Sequence, residues 1–259
     1  MNVLITGASS GIGAALAVEC ARRNDTVFIC GRNAARLEEV AGACRDLGAA
    51  VHARCVDVTD ADAVSQWVEA CNGIAPLNRV FSNAGVGTGI ENDENVRATF
   101  DINVNGNVNV VLAALNVLRR RNGNALADVR QILITASIAG YGPLKSCPAY
   151  SATKSCMKTW ALALRGMLKK EGIRVSAICP GFVRSGITAR NTCPMPFFME
   201  ADEAARIILE SADRNIGLIA FPWQMRFATW LLSILPFRIN EIINALLPEK
   251  IAAERPDIR

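Results

Sequence analysis

The stretch "VLITGASSGIGAALAVECARR", Val3 to Arg23, passes from a short aliphatic run through a glycine-rich turn into a segment with helical spacing of apolar residues. Gly7, Gly11 and Gly13 are spaced Gly-x-x-x-Gly-x-Gly, which differs from the Gly-x-Gly-x-x-Gly dinucleotide fingerprint. The physics of the two turns is shared. Glycine removes the Cβ atoms that would block a tight strand-to-helix turn and the approach of a pyrophosphate, and the helix N-terminus presents unpaired amides and a positive dipole end. Such turns also occur for purely steric reasons, so context has to decide.

Outward from this stretch, short β-branched runs alternate with helical segments. The strand candidates are Val3 to Thr6, Thr26 to Cys30, His52 to Val58, Asn78 to Asn83, Arg130 to Ser137, Arg174 to Cys179 and, after a gap, Gly217 to Pro222. Helical spacing covers Ser10 to Arg23, Ala34 to Leu47, Asp60 to Cys71, Glu94 to Arg121 and Ala149 to Glu171. Nearly continuous apolar strands separated by helices predict an α/β fold: a doubly wound, Rossmann-type parallel sheet of seven strands with helices on both faces. Ligands of such folds sit outside the carboxyl ends of the strands. No linker, repeat or low-complexity segment divides the chain, so residues 1–259 are read as a single domain.

Bulk composition narrows the classes. The chain is 51% hydrophobic and 20% charged with a net charge of +4, far from the concentrated charge of a nucleic-acid binder. The basic run Arg119 to Arg121 reads as the solvated end of a helix. Nine cysteines form no CxxC pair, and Cys30, Cys55 and Cys179 fall inside apolar strand-like runs, which predicts buried reduced thiols, no metal site and a cytoplasmic location. The N-terminus enters a strand at once and carries no signal-peptide pattern.

Four residues carry chemistry. Tyr150 and Lys154 lie one helical turn apart, and an ammonium beside a phenol favours the phenolate, so the pair predicts a tyrosine whose pKa is lowered from about 10. Ser137 ends the fifth strand, where its hydroxyl can hydrogen-bond a substrate carbonyl or simply cap a turn. Asn103 sits within a long apolar helix and needs buried partners. The second strand ends with Cys30 and Gly31 where an NAD-binding unit would carry a carboxylate, and Arg32 follows; an arginine there can pair with the 2′-phosphate of NADP, helped by Ser9, or be an ordinary loop arginine.

With these motifs in order, the chain resembles the short-chain dehydrogenase/reductase family, over at least Val3 to Ser185. The resemblance implies an NADP(H)-dependent oxidoreductase with Tyr150 as acid and base, Lys154 holding the nicotinamide ribose, Ser137 orienting the carbonyl and Asn103 anchoring a relay water. It implies a cofactor site built from Gly7, Ser9, Ser10, Gly11, Ile12, Gly13, Arg32, Asp57, Val58, Asn83, Ala84, Gly85, Tyr150, Lys154, Pro180, Gly181, Val183 and Ser185. Two positions depart mildly from the family pattern: Ser82 stands where asparagine is common, and Ser185 keeps a hydroxyl where threonine is common. A homodimer or homotetramer through the long helices is also implied. NADP being largely reduced in cells, reduction is the expected direction.

Substrate contacts are expected from Ser137, Ala139, Tyr141, Leu144, Cys147 and Phe182, under a partly mobile lid over residues 187–200. With only Arg184 and Arg190 as fixed charges nearby, a neutral lipid-like, steroid-like or sugar-derived carbonyl or alcohol is expected; a building block of a bacterial surface polysaccharide is the alternative substrate class, and a catalytically silent NADP-binding regulator or scaffold the alternative role. The apolar extension 217–259 predicts two helices split by Pro236. Packing over the cleft, packing in an oligomer interface and contact with a membrane all fit it, although a single charge before Pro236 counts against the last.

Overall fold

The computed structural model describes residues 1–121, 129–191 and 194–246. Seven strands form one parallel sheet: β1 (Asn2–Thr6), β2 (Thr26–Gly31), β3 (Val51–Cys55), β4 (Arg79–Ser82), β5 (Gln131–Thr135), β6 (Arg174–Pro180) and β7 (Leu218–Phe221), in the order β3-β2-β1-β4-β5-β6-β7. The order reverses at β1 and β4, where Val3 pairs with Val27 on one side and Arg79 on the other. Ligands of doubly wound sheets gather at that switch point.

Alternating side chains feed two apolar layers. Leu4, Phe28, Val80 and Ile132 face one layer with α3 (Ala61–Ile74), α5 (Asn107–Arg119) and α6 (Pro148–Leu168). Val3, Ile5, Val27 and Leu133 face the other with α1 (Gly11–Arg22), α2 (Ala34–Asp46) and α7 (Ala201–Asp213). Asn33 and Asp60 cap α2 and α3 through their side chains, accepting from Arg36 N and Ala63 N at 2.9 Å each. A buried arginine ties the sheet to α7: Arg79 donates to Gln131 at 2.9 Å and to Asp213 at 2.8 Å, so its charge is compensated.

Four features depart from the reading of the sequence. The third strand stops at Cys55; Val56 and Val58 are apolar because a loop there packs them into the core. On this edge strand Cys55 is exposed, which corrects its placement among the buried thiols. The long helix expected from Glu94 to Arg121 is broken: α4 (Asp93–Phe100) and α5 flank a π-helical turn at Asp101–Gly106. Finally, α7 fills the gap before β7 that the sequence reading left without an element. Its signals were present, with Asp202 and Glu203 in the first turn and Ala204, Ala205, Ile208, Leu209 and Ala212 at helical spacing.

Beyond β7 the chain forms α8 (Trp223–Ile234) and α9 (Phe237–Leu246), the two helices predicted around Pro236. Among the described residues no helix is long and apolar enough to cross a membrane.

Candidate active site

The glycine turn sits at the end of β1. Gly7 has φ +67° and Gly11 φ +55°, conformations that side-chain-bearing residues rarely adopt. A Cβ on Gly13 would stand 2.3 Å from the Gly7 carbonyl oxygen, so only glycine lets the helix start this close to the turn. The neighbouring segment at the end of β4 is locked to it. Thr6 Oγ1 accepts from the amides of Asn83 (3.0 Å) and Ala84 (3.1 Å), while the Asn83 amide donates to Thr6 O at 3.1 Å and accepts from Thr135 Oγ1 at 3.1 Å. A methyl group on Gly11 would lie 2.9 Å from Ser185 Cβ, which brings the "PGFVRS" segment against the same turn. The structure thus gathers Gly7, Gly11, Gly13, Asn83, Ala84 and Ser185, a backbone cradle that fits a nucleotide pyrophosphate at a helix N-terminus.

Two predicted cofactor residues stand further out. Arg32 is exposed just past β2 and beside the turn, where a Cβ on Gly31 would meet Ser9 Oγ at 3.0 Å. Asp57 accepts from Thr59 N at 3.0 Å and from Thr59 Oγ1 at 2.8 Å, which fixes its carboxylate in a loop after β3.

The chemistry-bearing residues meet at the ends of β5 and β6. Ser137 follows β5; its Oγ accepts from Ala139 N at 3.1 Å and hydrogen-bonds the Tyr150 phenol. Tyr150 lies in the first turn of α6, which Pro148 opens and Glu91 caps by accepting from Ala149 N at 3.0 Å. Lys154, one turn on, is buried; its Nζ donates to Thr135 O at 3.0 Å and lies 5.6 Å from the centre of the Tyr150 ring. A methyl group on Gly85 would lie 3.3 Å from that Nζ, so the lysine bridges the cofactor cradle and the tyrosine.

The pKa directions correct one expectation. Burial pushes Tyr150 up to about 12, against the lowering contributed by the Ser137 hydrogen bond. Burial also drives Lys154 down to about 8. Desolvation of the phenolate dominates, so at neutral pH the site holds a phenol and an ammonium ion rather than a primed phenolate.

Asn103 has the buried partners it needs. On the π turn, its Oδ1 accepts from Val86 N at 2.8 Å, and its Nδ2 donates to Val86 O at 2.9 Å and Thr153 Oγ1 at 3.2 Å. It therefore clamps the loop after β4 to α6. Asn107, which the sequence reading missed, reinforces the clamp by donating to Ala84 O at 2.9 Å and accepting from Ser82 Oγ at 2.7 Å. The serine at position 82 is thus structurally matched to this asparagine.

Beside Ser137 and Tyr150 lies a cavity of about 480 Å³. All six predicted substrate residues, Ser137, Ala139, Tyr141, Leu144, Cys147 and Phe182, line it, and among the described residues no lining side chain is charged. Ile187, Thr188, Asn191, Pro194 and Pro196 supply one wall from the lid segment. Thr192 and Cys193 of that segment lie outside the described residues. Arg184 turns away to pair with Glu200 through contacts of 2.6 and 2.9 Å, and Phe197 and Phe198 are exposed. The opposite wall comes from the extension: Met225, Thr229 and Leu232 of α8 with Asn240 and Ile243 of α9. Packing over the cleft is therefore one thing the tail does.

A glycine turn that fits a dinucleotide, beside Ser137 and Tyr150 on the wall of an uncharged cavity and the buried Lys154 behind them, has the form of a nicotinamide-dependent oxidoreductase site. Residues 1–194 match the short chain dehydrogenase family. An uncharacterized oxidoreductase of Myxococcus xanthus (strain DK1622) is 37% identical over 241 residues, 91% of this chain and 92% of that protein. The 17-beta-hydroxysteroid dehydrogenase 13 of Rattus norvegicus is 28% identical over 95% of this chain and 82% of its own length. A short-chain dehydrogenase from Sphingobium yanoikuyae, solved in complex with NADPH, superposes with a TM-score of 0.75 at 27% identity, covering 91% of this chain and 96% of that one. One from Burkholderia phymatum, solved with NAD, shares the fold with a TM-score of 0.79 at 23% identity over 93% of this chain and 94% of its own. The chain belongs to the short-chain dehydrogenase/reductase family of NAD(P)-dependent oxidoreductases.

Proposed function

We propose that this protein is an NADPH-dependent carbonyl reductase acting on a neutral, largely apolar ketone or aldehyde of lipid-like or steroid-like character. The observation that carries the reading is the Ser137–Tyr150 hydrogen bond at one end of a cavity whose described walls hold no charge. A sugar-derived substrate fits less well, since Ile138, Leu144, Phe182, Met225, Leu232 and Ile243 offer few partners for a ring of hydroxyls. The name of the Rattus norvegicus relative, a hydroxysteroid dehydrogenase, points the same way.

NADPH, when bound, supplies a hydride to the carbonyl carbon. The glycine turn and Ser185 would hold its pyrophosphate and nicotinamide ends, Asp57 its adenine, and Lys154 its ribose hydroxyls. Preference for the phosphorylated cofactor rests on exposed Arg32 beside Ser9, with no carboxylate at the end of β2 to favour the unphosphorylated ribose.

Ser137 and Tyr150 act on the substrate oxygen. Ser137 Oγ accepts from Ala139 N at 3.1 Å and donates to Pro180 O at 3.4 Å, a long bond it would exchange for a substrate carbonyl, and the Tyr150 phenol donates the proton that balances the arriving hydride. A high tyrosine pKa suits this direction, since the group stays protonated at working pH. The Lys154 ammonium stabilises the phenolate left behind. Both Nδ2 donors of Asn103 are committed, so a relay water would take the remaining lone pair of its Oδ1.

Consumption of NADPH over a panel of apolar ketones, steroid ketones and keto-sugars tests the reading, with Tyr150→Phe as control. The wild type should turn over apolar ketones, the variant should lose at least about a hundredfold in kcat, and Arg32→Ala should weaken NADPH without changing NADH. Equal rates for wild type and Tyr150→Phe would sink it.

A further inference from the structure

The extension presents two opposite apolar faces. In α8, Met225, Thr229 and Leu232 point into the cavity, while Trp223, Phe227, Trp230, Leu231 and Ile234 recur at helical spacing on the other side and are exposed, Trp223 at 72% and Ile234 at 59%. In α9, Asn240 and Ile243 line the cavity, and Ile239 and Ile242 are exposed. Phe227 and Trp230 pack ring to ring on the outer face at 5.9 Å. A monomer in water rarely shows so many large apolar side chains together.

We propose that this outer face of α8 and α9 seats on a phospholipid surface, and that the apolar substrate enters the cavity from it; the entry route rests on the carbonyl-reductase reading. The composition selects lipid over protein. Two tryptophans stand among aliphatic side chains, as at membrane interfaces. The single charge before Pro236 counts against a seat on α8 alone, but α9 beyond it adds exposed Arg238 to exposed Arg226 against the one acid Glu241, so the pair is net positive and weakly complements anionic headgroups. Helices of 12 and 10 residues are long enough to lie in an interface and too short to cross one. The face is also continuous with the cavity wall. A fluid apolar phase on the outside of α8 delivers ligand to its inside, whereas a second protein copy there would close the route. A second copy has another surface available, since the long helices α5 and α6 expose Leu112, Leu162 and Met167.

Cosedimentation of the full chain with phosphatidylcholine vesicles, with and without phosphatidylglycerol, tests the seat, alongside tryptophan emission and sedimentation velocity without lipid. The wild type is expected to pellet with both, more tightly with phosphatidylglycerol, and its emission to shift to the blue as Trp223 and Trp230 leave water. Trp230→Glu combined with Ile242→Glu, neither of them a cavity residue, should weaken vesicle binding by about tenfold or more while NADPH consumption on a water-dispersed ketone stays as in the wild type. Wild type that stays in the supernatant with both vesicle types overturns the proposal. So does a wild-type dimer that the double variant converts to monomer with no vesicle binding. Vesicle binding without turnover of any carbonyl would support the seat and sink the reductase reading, which separates the two.

Discussion

Lys154 is the residue on which stability and chemistry oppose each other. It is 3% exposed, and burial drives its pKa from the ordinary lysine value to about 8. Below pH 8 the folded chain carries a buried ammonium at full cost. Between about pH 8 and 10 the unfolded chain still binds a proton that the folded chain has shed, so this group's contribution to stability rises with pH across the window. Replacing it by Lys154→Met should therefore stabilise the fold at pH 7, by at most about 3 kcal/mol, and the advantage should shrink as pH approaches 10. Urea unfolding of both proteins at several pH values measures this, and a constant gap would refute the assignment. Catalysis runs the other way. Reduction needs the ammonium, so the rate should fall above pH 8, while alcohol oxidation needs the Tyr150 phenolate and should climb with pH toward the raised tyrosine value.

At the scale of elements, the site depends on how closely the turn after β5 approaches α6. The turn at Ile138–Tyr141 rests on the helix at Gly140, where a Cβ would stand 2.6 Å from the Lys154 carbonyl carbon and oxygen, and Ser155 Oγ donates to Gly140 O at 3.0 Å. Gly140→Ala should force the turn off the helix, cost roughly 1–3 kcal/mol, and lower kcat more than it raises KM, because Ser137 moves away from Tyr150. Gly166→Ala, on the same helix with nothing within 4 Å, is the control and should be neutral or stabilising. Thermal melts and steady-state kinetics on the pair decide it.

The same scale shows what the sequence made legible. The inner strands were readable because a buried parallel strand is an uninterrupted apolar run, whereas β3, an exposed edge strand, was found but carried too far; that Tyr150, Lys154 and Ser137 meet was readable because helical spacing and the end of β5 bring them together. The π turn was not, since 3.6-residue periodicity carries through it; only the cluster of asparagines in "NVNGN" hinted at a break. The tyrosine pKa went the wrong way because spacing reports a neighbouring charge and not the loss of water around it. Which face of α8 lines the cavity was also hidden, because both of its faces are apolar.

Across the whole molecule, labour is divided along the chain. The cradle is assembled from the ends of β1, β4 and β6, all before Gly186, whereas one wall of the cavity comes from α8 and α9 near the other end. Cofactor affinity and substrate choice should then be separable by substitution. Leu232 projects from α8 into the cavity, and none of the cradle residues Gly7, Gly11, Gly13, Asn83, Ala84 and Ser185 is among the described residues that line it. Leu232→Trp should fill part of the 480 Å³ and raise KM for bulky ketones about tenfold, while small ketones turn over normally. Titration of intrinsic fluorescence with NADPH should give the same Kd for variant and wild type, after allowing for the added indole. If NADPH affinity falls in step with KM, the tail is coupled to the cradle through the sheet. If bulky ketones are unaffected, α8 does not wall the site that does the chemistry, and the substrate must approach from the lid side instead.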